Sequence, residues 1–293
     1  MSRILVIKLG ALGDFVLAFG PFAAIRAHHP AARIVLLTTT PYAELAQASP
    51  WFDEVRVDRR PAWWDLRGLV RLRQALRGFD FVYDLQTSSR SSHYFRMAGR
   101  PEWSGIARGA SRRHTDPGRN RLHTMDRQRD QLALAGIPSV PPPDLAWLLG
   151  AGPVLPTPYA LLAPGSAPHR PAKRWPAAAF GILAQQLAPR PVVVGTAADA
   201  PLATAICAAC PEALDLTGRT SLLDLAGLAA RAEFAVGNDT GPMHLAAAAG
   251  CRCVVLFSGH SDPALTAPRG RVTVLREPDL ADLPVARVAA ALA

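Results

Sequence analysis

The chain has 293 residues, about twice the length of a typical single domain, so two domains are expected. With 49% apolar and 19% charged residues and no repeat of fixed period, it is neither wholly disordered nor a solenoid or propeller. The net charge of +9 is lopsided: residues 1–150 carry 21 Lys and Arg against 13 Asp and Glu, and residues 151–293 carry 11 against 10. The first half is therefore the one expected to face an anionic partner.

The apolar stretch from Ile4 to Ile25 invites comparison with a signal peptide or membrane span. Lys8, Gly10, Gly13 and Asp14 interrupt it, and its longest clean run, residues 15–25, is too short to cross a bilayer. It reads as folded strand and helix, and a cytoplasmic location is expected.

Short β-rich apolar runs then alternate with helical stretches, the pattern of a parallel sheet covered on both faces. In the first half the strands fall at residues 3–8, 33–37, 54–57 and 79–85, with a weaker fifth at 103–106. Helices fall between them at 15–27, 42–48, 65–76 and 89–98. Residues 86–130 hold ten arginines, including Arg90, Arg112, Arg113 and Arg119, against four acids; part of this segment reads as a basic loop. A helix over 123–135 stops at Gly136.

Prolines at 138, 141, 142, 143, 153, 156 and 158 read as a domain connection, dividing the chain into 1–150 and 151–293. The alternation then resumes, with strands at 159–163, 191–194, 213–216, 233–236, 252–257 and 272–275. Helices start near Trp175, Asp199, Ser221, Asp239 and Asp279. The expected fold is α/β, two doubly wound domains in tandem, with chemistry in the loops after the strands.

Three such loops carry candidates. Lys8-Leu9-Gly10-Ala11-Leu12-Gly13-Asp14 lacks the full glycine fingerprint for a dinucleotide, and the second strand ends in threonines with no ribose-binding acid. It is left as a tight turn that sets Asp14 at a helix N-terminus, as a functional carboxylate or as a cap. The loop Pro164-Gly165-Ser166 to His169-Arg170-Pro171-Ala172-Lys173-Arg174 suits phosphate, either as a site or as a solvated basic loop. In Asn238-Asp239-Thr240-Gly241-Pro242-Met243-His244, Asp239 is expected to cap a helix, leaving the N–H groups of Thr240 and Gly241 free for an oxyanion. His244 follows on the same face of the first turn.

The four cysteines, Cys207, Cys210, Cys251 and Cys253, are placed in an Ala-rich helical pattern and at a strand entry. They read as small buried thiols and not as a zinc site.

Taken together, the Lys8–Asp14 loop, Asp84-Leu85-Gln86 with Arg90-Ser91, the Pro-Gly-Ser to Lys173-Arg-Trp-Pro loop and the Asn-Asp239-Thr-Gly-Pro-Met-His helix resemble glycosyltransferase family 9. These are the ADP-heptose:lipopolysaccharide heptosyltransferases, and the likeness runs over nearly the whole chain in the family's order. The resemblance implies a GT-B fold, two Rossmann-like domains facing across a cleft, with acceptor on the first and nucleotide-sugar donor on the second. It also implies inversion at the sugar carbon without a metal ion or other cofactor.

Position by position, the resemblance makes Asp14 the general base and Lys173 the lysine on the donor diphosphate. Gly165, Ser166, Asp239, Thr240, Gly241 and His244 fall to the donor. Gly10, Ala11, Gly13 and the arginines at 90, 112, 113 and 119 fall to an anionic glycolipid acceptor at the inner membrane surface, implying peripheral contact there. Two departures lie on the donor side. Where the family places a ribose-binding Glu after Gly195, this chain runs Thr196-Ala197-Ala198 to Asp199, one methylene shorter. Its Ser258–Pro263 loop is one residue longer than the family's.

Other readings are a GT-B enzyme using another nucleotide sugar, a Rossmann-type dehydrogenase and a nucleic-acid binder. The dehydrogenase should show the missing glycine fingerprint. The nucleic-acid binder should show a binding motif and aromatics among the arginines, where only Tyr94, Phe95 and Trp103 occur; no nucleic-acid partner is therefore expected.

Overall fold

The first strand, β1 (Arg3–Ile7), is apolar at every position after Arg3 and buried along that run. Such a sequence has no solvent face, so it requires helices above and below. In the computed structural model, which describes residues 1–167 and 169–292, the same holds for most strands that pair beside it. β2 (Arg33–Thr38), β3 (Glu54–Val57), β4 (Phe81–Asp84), β5 (Glu102–Gly105) and β6 (Arg112–Arg113) complete a six-stranded parallel sheet in the order β3-β2-β1-β4-β5-β6. One core layer joins Leu5, Ile7, Val35, Leu37 and Val82 to Leu72, Leu76, Phe95 and Trp103.

β7 (Tyr159–Ala163), β8 (Arg190–Val193), β9 (Leu214–Asp215), β10 (Phe234–Asn238), β11 (Cys253–Phe257) and β12 (Val272–Arg276) form a second parallel sheet, ordered β12-β11-β10-β7-β8-β9. Counted within its own unit, this is the same topology as the first, the doubly wound order with one reversal of direction. The reversal lies between β1 and β4 in one sheet and between β7 and β10 in the other. At such a point the loops leaving two neighbouring strands run to opposite faces and open a crevice at the carboxyl ends.

The chain separates into two compact units, Met1–Pro143 and Asp144–Ala293, so the division falls within the proline run, ahead of residue 150. Residues 144–153 go with the second unit because Arg231 donates hydrogen bonds to the carbonyls of Leu149, Ala151 and Pro153.

Three local differences from the sequence reading have physical causes. The helix expected over 15–27 starts earlier and is split into Leu12–Val16 and Phe19–His28. Pro21 has no N–H for the carbonyl of Leu17, and its ring crowds that carbonyl. Within the basic loop, Arg112 and Arg113 pair with Ser104 and Gly105 as an edge strand, which two exposed arginines give no apolar pattern to announce. The helix after β10 runs Gly241–Ala248 with Thr240, not Asp239, as its N-cap.

Candidate functional site

In the first unit, the crevice between β1 and β4 is built on the loop after β1. Leu9 N–H donates to Gln86 Oε1 at 2.8 Å, and the Leu9 carbonyl accepts from Thr39 Oγ1 at 3.0 Å. Gly10 has φ +117°, and a Cβ there would lie 2.5 Å from the Tyr42 ring, so only glycine fits the turn. Tyr42 stacks in turn on Phe15, with centroids 5.2 Å apart. The loop is thus pinned from β4 and from the segment after β2.

Asp14 is the third residue of the helix Leu12–Val16, whose N-cap is Ala11 with no side-chain cap bond. Its half-buried carboxylate makes no hydrogen bond among the described residues, so the capping role open to it in the sequence is not the one it fills. Just past β1, Lys8 is fully buried, and its ammonium donates to the Leu85 carbonyl at 3.2 Å. Burial pulls the Lys8 pKa down, and Asp14 is the strongest charge opposing that shift. Across the crevice, Asp84 ends β4 fully buried. Burial raises its pKa to about 6, although the N–H groups of Gln86 and Thr87 both reach its Oδ1.

A cavity of about 530 Å³ opens here, lined by Leu9, Gly10, Ala11, Tyr42, Arg60 and Gln86 among others. Arg90 is tied to it indirectly: it donates to Tyr94 Oη at 3.1 Å, and that hydroxyl donates to Asp58 Oδ2, in the cavity wall, at 2.6 Å. Arg119 is half-buried, its Nε donating to His114 Nδ1 at 3.4 Å. Arg112 and Arg113 are exposed on β6, three strands from β1, or roughly 14 Å at the usual strand spacing. The structure therefore brings Gly10, Ala11, Gly13, Asp14 and, through Tyr94, Arg90 to one place, and leaves Arg112 and Arg113 at the sheet edge.

In the second unit, the crevice between β7 and β10 gathers the donor candidates. Lys173, on a short turn Pro171–Lys173, donates to Asp239 Oδ2 at 2.5 Å with both side chains largely buried. Asp239 is thus the lysine's partner and not the helix cap, its carboxylate being drawn away from the helix by the ammonium. The N–H groups of Thr240 and Gly241 donate to no acceptor among the described residues. They stand at a positive helix end. His244 is buried on the first turn of that helix.

Asn238 holds the two loops together. Its Oδ1 accepts from Trp175 N–H at 2.9 Å, and its Nδ2 donates to the carbonyls of Pro164 at 2.7 Å and Gly165 at 3.3 Å. Ser166 braces the same loop: its Oγ donates to the Arg170 carbonyl and accepts from Arg174 Nε. Asp199 is buried, its Oδ2 accepting from both the N–H and the hydroxyl of Thr196. It packs so closely beneath Gly165 and Gly195 that a Cβ on either would lie within 2.9 Å of a carboxylate oxygen. Lys8, Asp84 and Asn238 stand in the quoted motifs without a role of their own, and Tyr42 stands in none. Lys8 had a visible signal, a lysine directly ending an apolar strand; Asn238 stood in the motif, but its partners lie 63 to 74 residues away.

A larger hollow of about 790 Å³, lined by Pro158, Leu187, Arg190, Pro191 and Glu212 among others, lies at the amino end of β8 and away from these groups. All four cysteines are free thiols; Cys207 is half-buried and the other three buried. Among the described residues they do not gather into one ligand set.

Two six-stranded parallel sheets in tandem, each with the doubly wound order, make this a GT-B-like α/β protein. The chain belongs to glycosyltransferase family 9 (heptosyltransferase), whose sequence profile matches residues 69–282. It is 36% identical over 115 residues to lipooligosaccharide heptosyltransferase 2 of Haemophilus influenzae, a stretch covering 36% of this chain and 33% of that relative. The match thus spans about a third of the curated relative's length. Among solved structures, E. coli ADP-heptose lps heptosyltransferase II superposes with a TM-score of 0.81 at 24% identity, over 99% of this chain and 97% of that one. E. coli heptosyltransferase WaaC, solved with ADP, gives 0.82 at 22% identity over 98% and 97%. Among the described residues, no helix is long and apolar enough to cross a membrane.

Proposed function

We propose that this protein is an inverting glycosyltransferase that moves heptose from ADP-heptose to a lipopolysaccharide-core or similar anionic glycan acceptor, without a metal ion. The observation that carries the reading is the buried Lys173–Asp239 pair, next along the chain to the N–H groups of Thr240 and Gly241, which have no acceptor among the described residues. It provides an ammonium, held in place by a carboxylate, beside a positive helix end, which is what a leaving diphosphate needs as its charge grows. No Asp-x-Asp pair occurs in the sequence, so the chain lacks the short acidic motif that would hold a divalent ion on a diphosphate.

The acceptor binds in the first unit, where its hydroxyl gives a proton to Asp14 as its oxygen attacks the anomeric carbon from the face opposite the diphosphate. The bond from that carbon to the diphosphate oxygen breaks, and the configuration inverts. In the second unit, Asp199 and the Gly165–Ser166 loop take the ribose side of the donor. Arg90 with the cavity arginines, and Arg112, Arg113 and Arg119 further out, attract the acceptor's anionic groups at the inner membrane surface.

The test is transfer from ADP-heptose to extracted core glycolipid in the presence of EDTA, beside a comparison of ADP, UDP and GDP as thermal stabilisers. ADP should raise the melting temperature most, and transfer should survive the chelator. A larger shift with UDP or GDP overturns the donor, and loss of transfer restored by Mg²⁺ overturns the metal-free mechanism.

A further inference from the structure

Between β3 and β4 the first unit carries a segment of which the transfer reaction uses only the cavity arginines, Arg59 and Arg60. Trp63 and Trp64 are 81% and 69% exposed, packed edge to face on each other with centroids 5.4 Å apart. The helix Leu66–Ala75 follows, capped by Asp65 on the Gly68 N–H. Leu72, with Leu76 just past the helix end, is buried in the core, which fixes the rotation of the helix. At 100° per residue, Leu66 and Val70 then point away from the protein, and they are 72% and 55% exposed. Arg67 and Arg71 flank them on one side and Arg73 on the other. Residues 59–77 hold six arginines and one acid, Asp65.

Two adjacent exposed indoles and, on the helix that follows, an outward Leu–Val pair are apolar surface that a globular protein rarely leaves uncovered over so short a segment. Its basic surround selects the occupant. A second copy of this chain would set arginines against arginines with only Asp65 to offset them, a repulsive arrangement. An anionic bilayer instead places indole rings and short apolar side chains at the headgroup boundary, with guanidinium groups reaching the lipid phosphates.

The geometry points to residues 61–77 as a membrane-docking element that seats the first unit on an anionic bilayer surface, with Trp63, Trp64, Leu66 and Val70 inserted and the arginines from Arg67 onward paired to headgroups. The element adjoins the 530 Å³ cavity, because Arg59 lines both that cavity and the hollow under the helix. Docking therefore holds the Arg59 side of the cavity close to the lipid surface. The inference is independent of which sugar or acceptor is handled, and its test reads binding without turnover.

The full chain is sedimented with vesicles of phosphatidylcholine alone and of phosphatidylcholine mixed with phosphatidylglycerol. It should bind only the anionic vesicles, less at high salt. Trp63→Ser combined with Trp64→Ser should weaken binding by at least about tenfold, since two partly inserted indoles remove well over ~100 Å² of apolar surface from water. Its melting temperature and its ADP-induced shift should not change. Leu66→Ser with Val70→Ser, on the helix face that points the same way, should weaken binding too. Failure of the parent to bind anionic vesicles, or equal binding by the double tryptophan variant, overturns the proposal. A parent that is dimeric without lipid beside a monomeric tryptophan variant assigns the face to a second copy and overturns it as well.

Discussion

The half-buried carboxylate of Asp14 has no hydrogen-bond partner among the described residues, an arrangement suited to a group that must accept a proton and release it. Because Ala11 caps the helix and Asp14 makes no cap bond, its contribution to stability is confined to the helix dipole, about 0.3–1 kcal/mol. Asp14→Asn should therefore melt close to the parent and retain ADP binding while turnover falls by about 10²–10⁴-fold. A variant that loses stability but keeps its specific activity would return Asp14 to a structural role. Asp84 makes the opposite case. Its pKa is raised from 3.8 to about 6 by burial, so between those values the folded state holds a proton that the unfolded state has lost. The contribution of Asp84 to stability consequently falls as pH rises from about 4 to about 6, by on the order of 3 kcal/mol for a shift of this size. Denaturant melts across that window should show a shallower fall for Asp84→Asn than for the parent. Equal slopes would mean that the carboxyl ionises as readily in the fold as in the open chain.

The loops matter more than the helices they precede, and Asn238 shows why. It ends β10 and bonds to the loop after β7 and to the backbone of Trp175, so one side chain sets the spacing of the crevice that holds Lys173. Asn238→Ala would take the side-chain partner from the buried Trp175 N–H and from the buried carbonyls of Pro164 and Gly165, costing on the order of 3 kcal/mol. The ADP-induced rise in melting temperature should shrink as well; a full ADP shift in the destabilised variant would show the clamp to be unconnected with the donor. This element also marks the limit of what the sequence discloses. The succession of strands along the chain, the loop positions and the residues after β1, β7 and β10 are local features, written in apolar runs, glycines and helix starts. Asn238's partners are distant in sequence, the Lys173–Asp239 bond spans 66 residues, and Asp239 taken alone reads as a cap. The break before Pro21 was legible in principle, because proline at the third position of a helix denies a bond to the turn before it. The edge strand Arg112–Arg113 was not, since its pairing leaves no apolar face.

At the scale of the molecule, donor and acceptor functions are assigned to separate units, so ligands should leave separate traces. Hydrogen exchange with ADP should slow most within residues 164–175 and 237–245 and change little in Met1–Pro143. Comparable slowing in both units would contradict the assignment. A further consequence comes from the uniform direction of the strands. Every described pairing in both sheets is parallel, so each unit has a working rim and an idle one. The idle rim includes the short turns at residues 29–32, 188–190 and 250–252, which enter β2, β8 and β11. A fluorophore, affinity handle or tethering cysteine placed there would ride as a passenger, and the protein could be anchored to a sensor surface from that side while its chemistry stays in free solution.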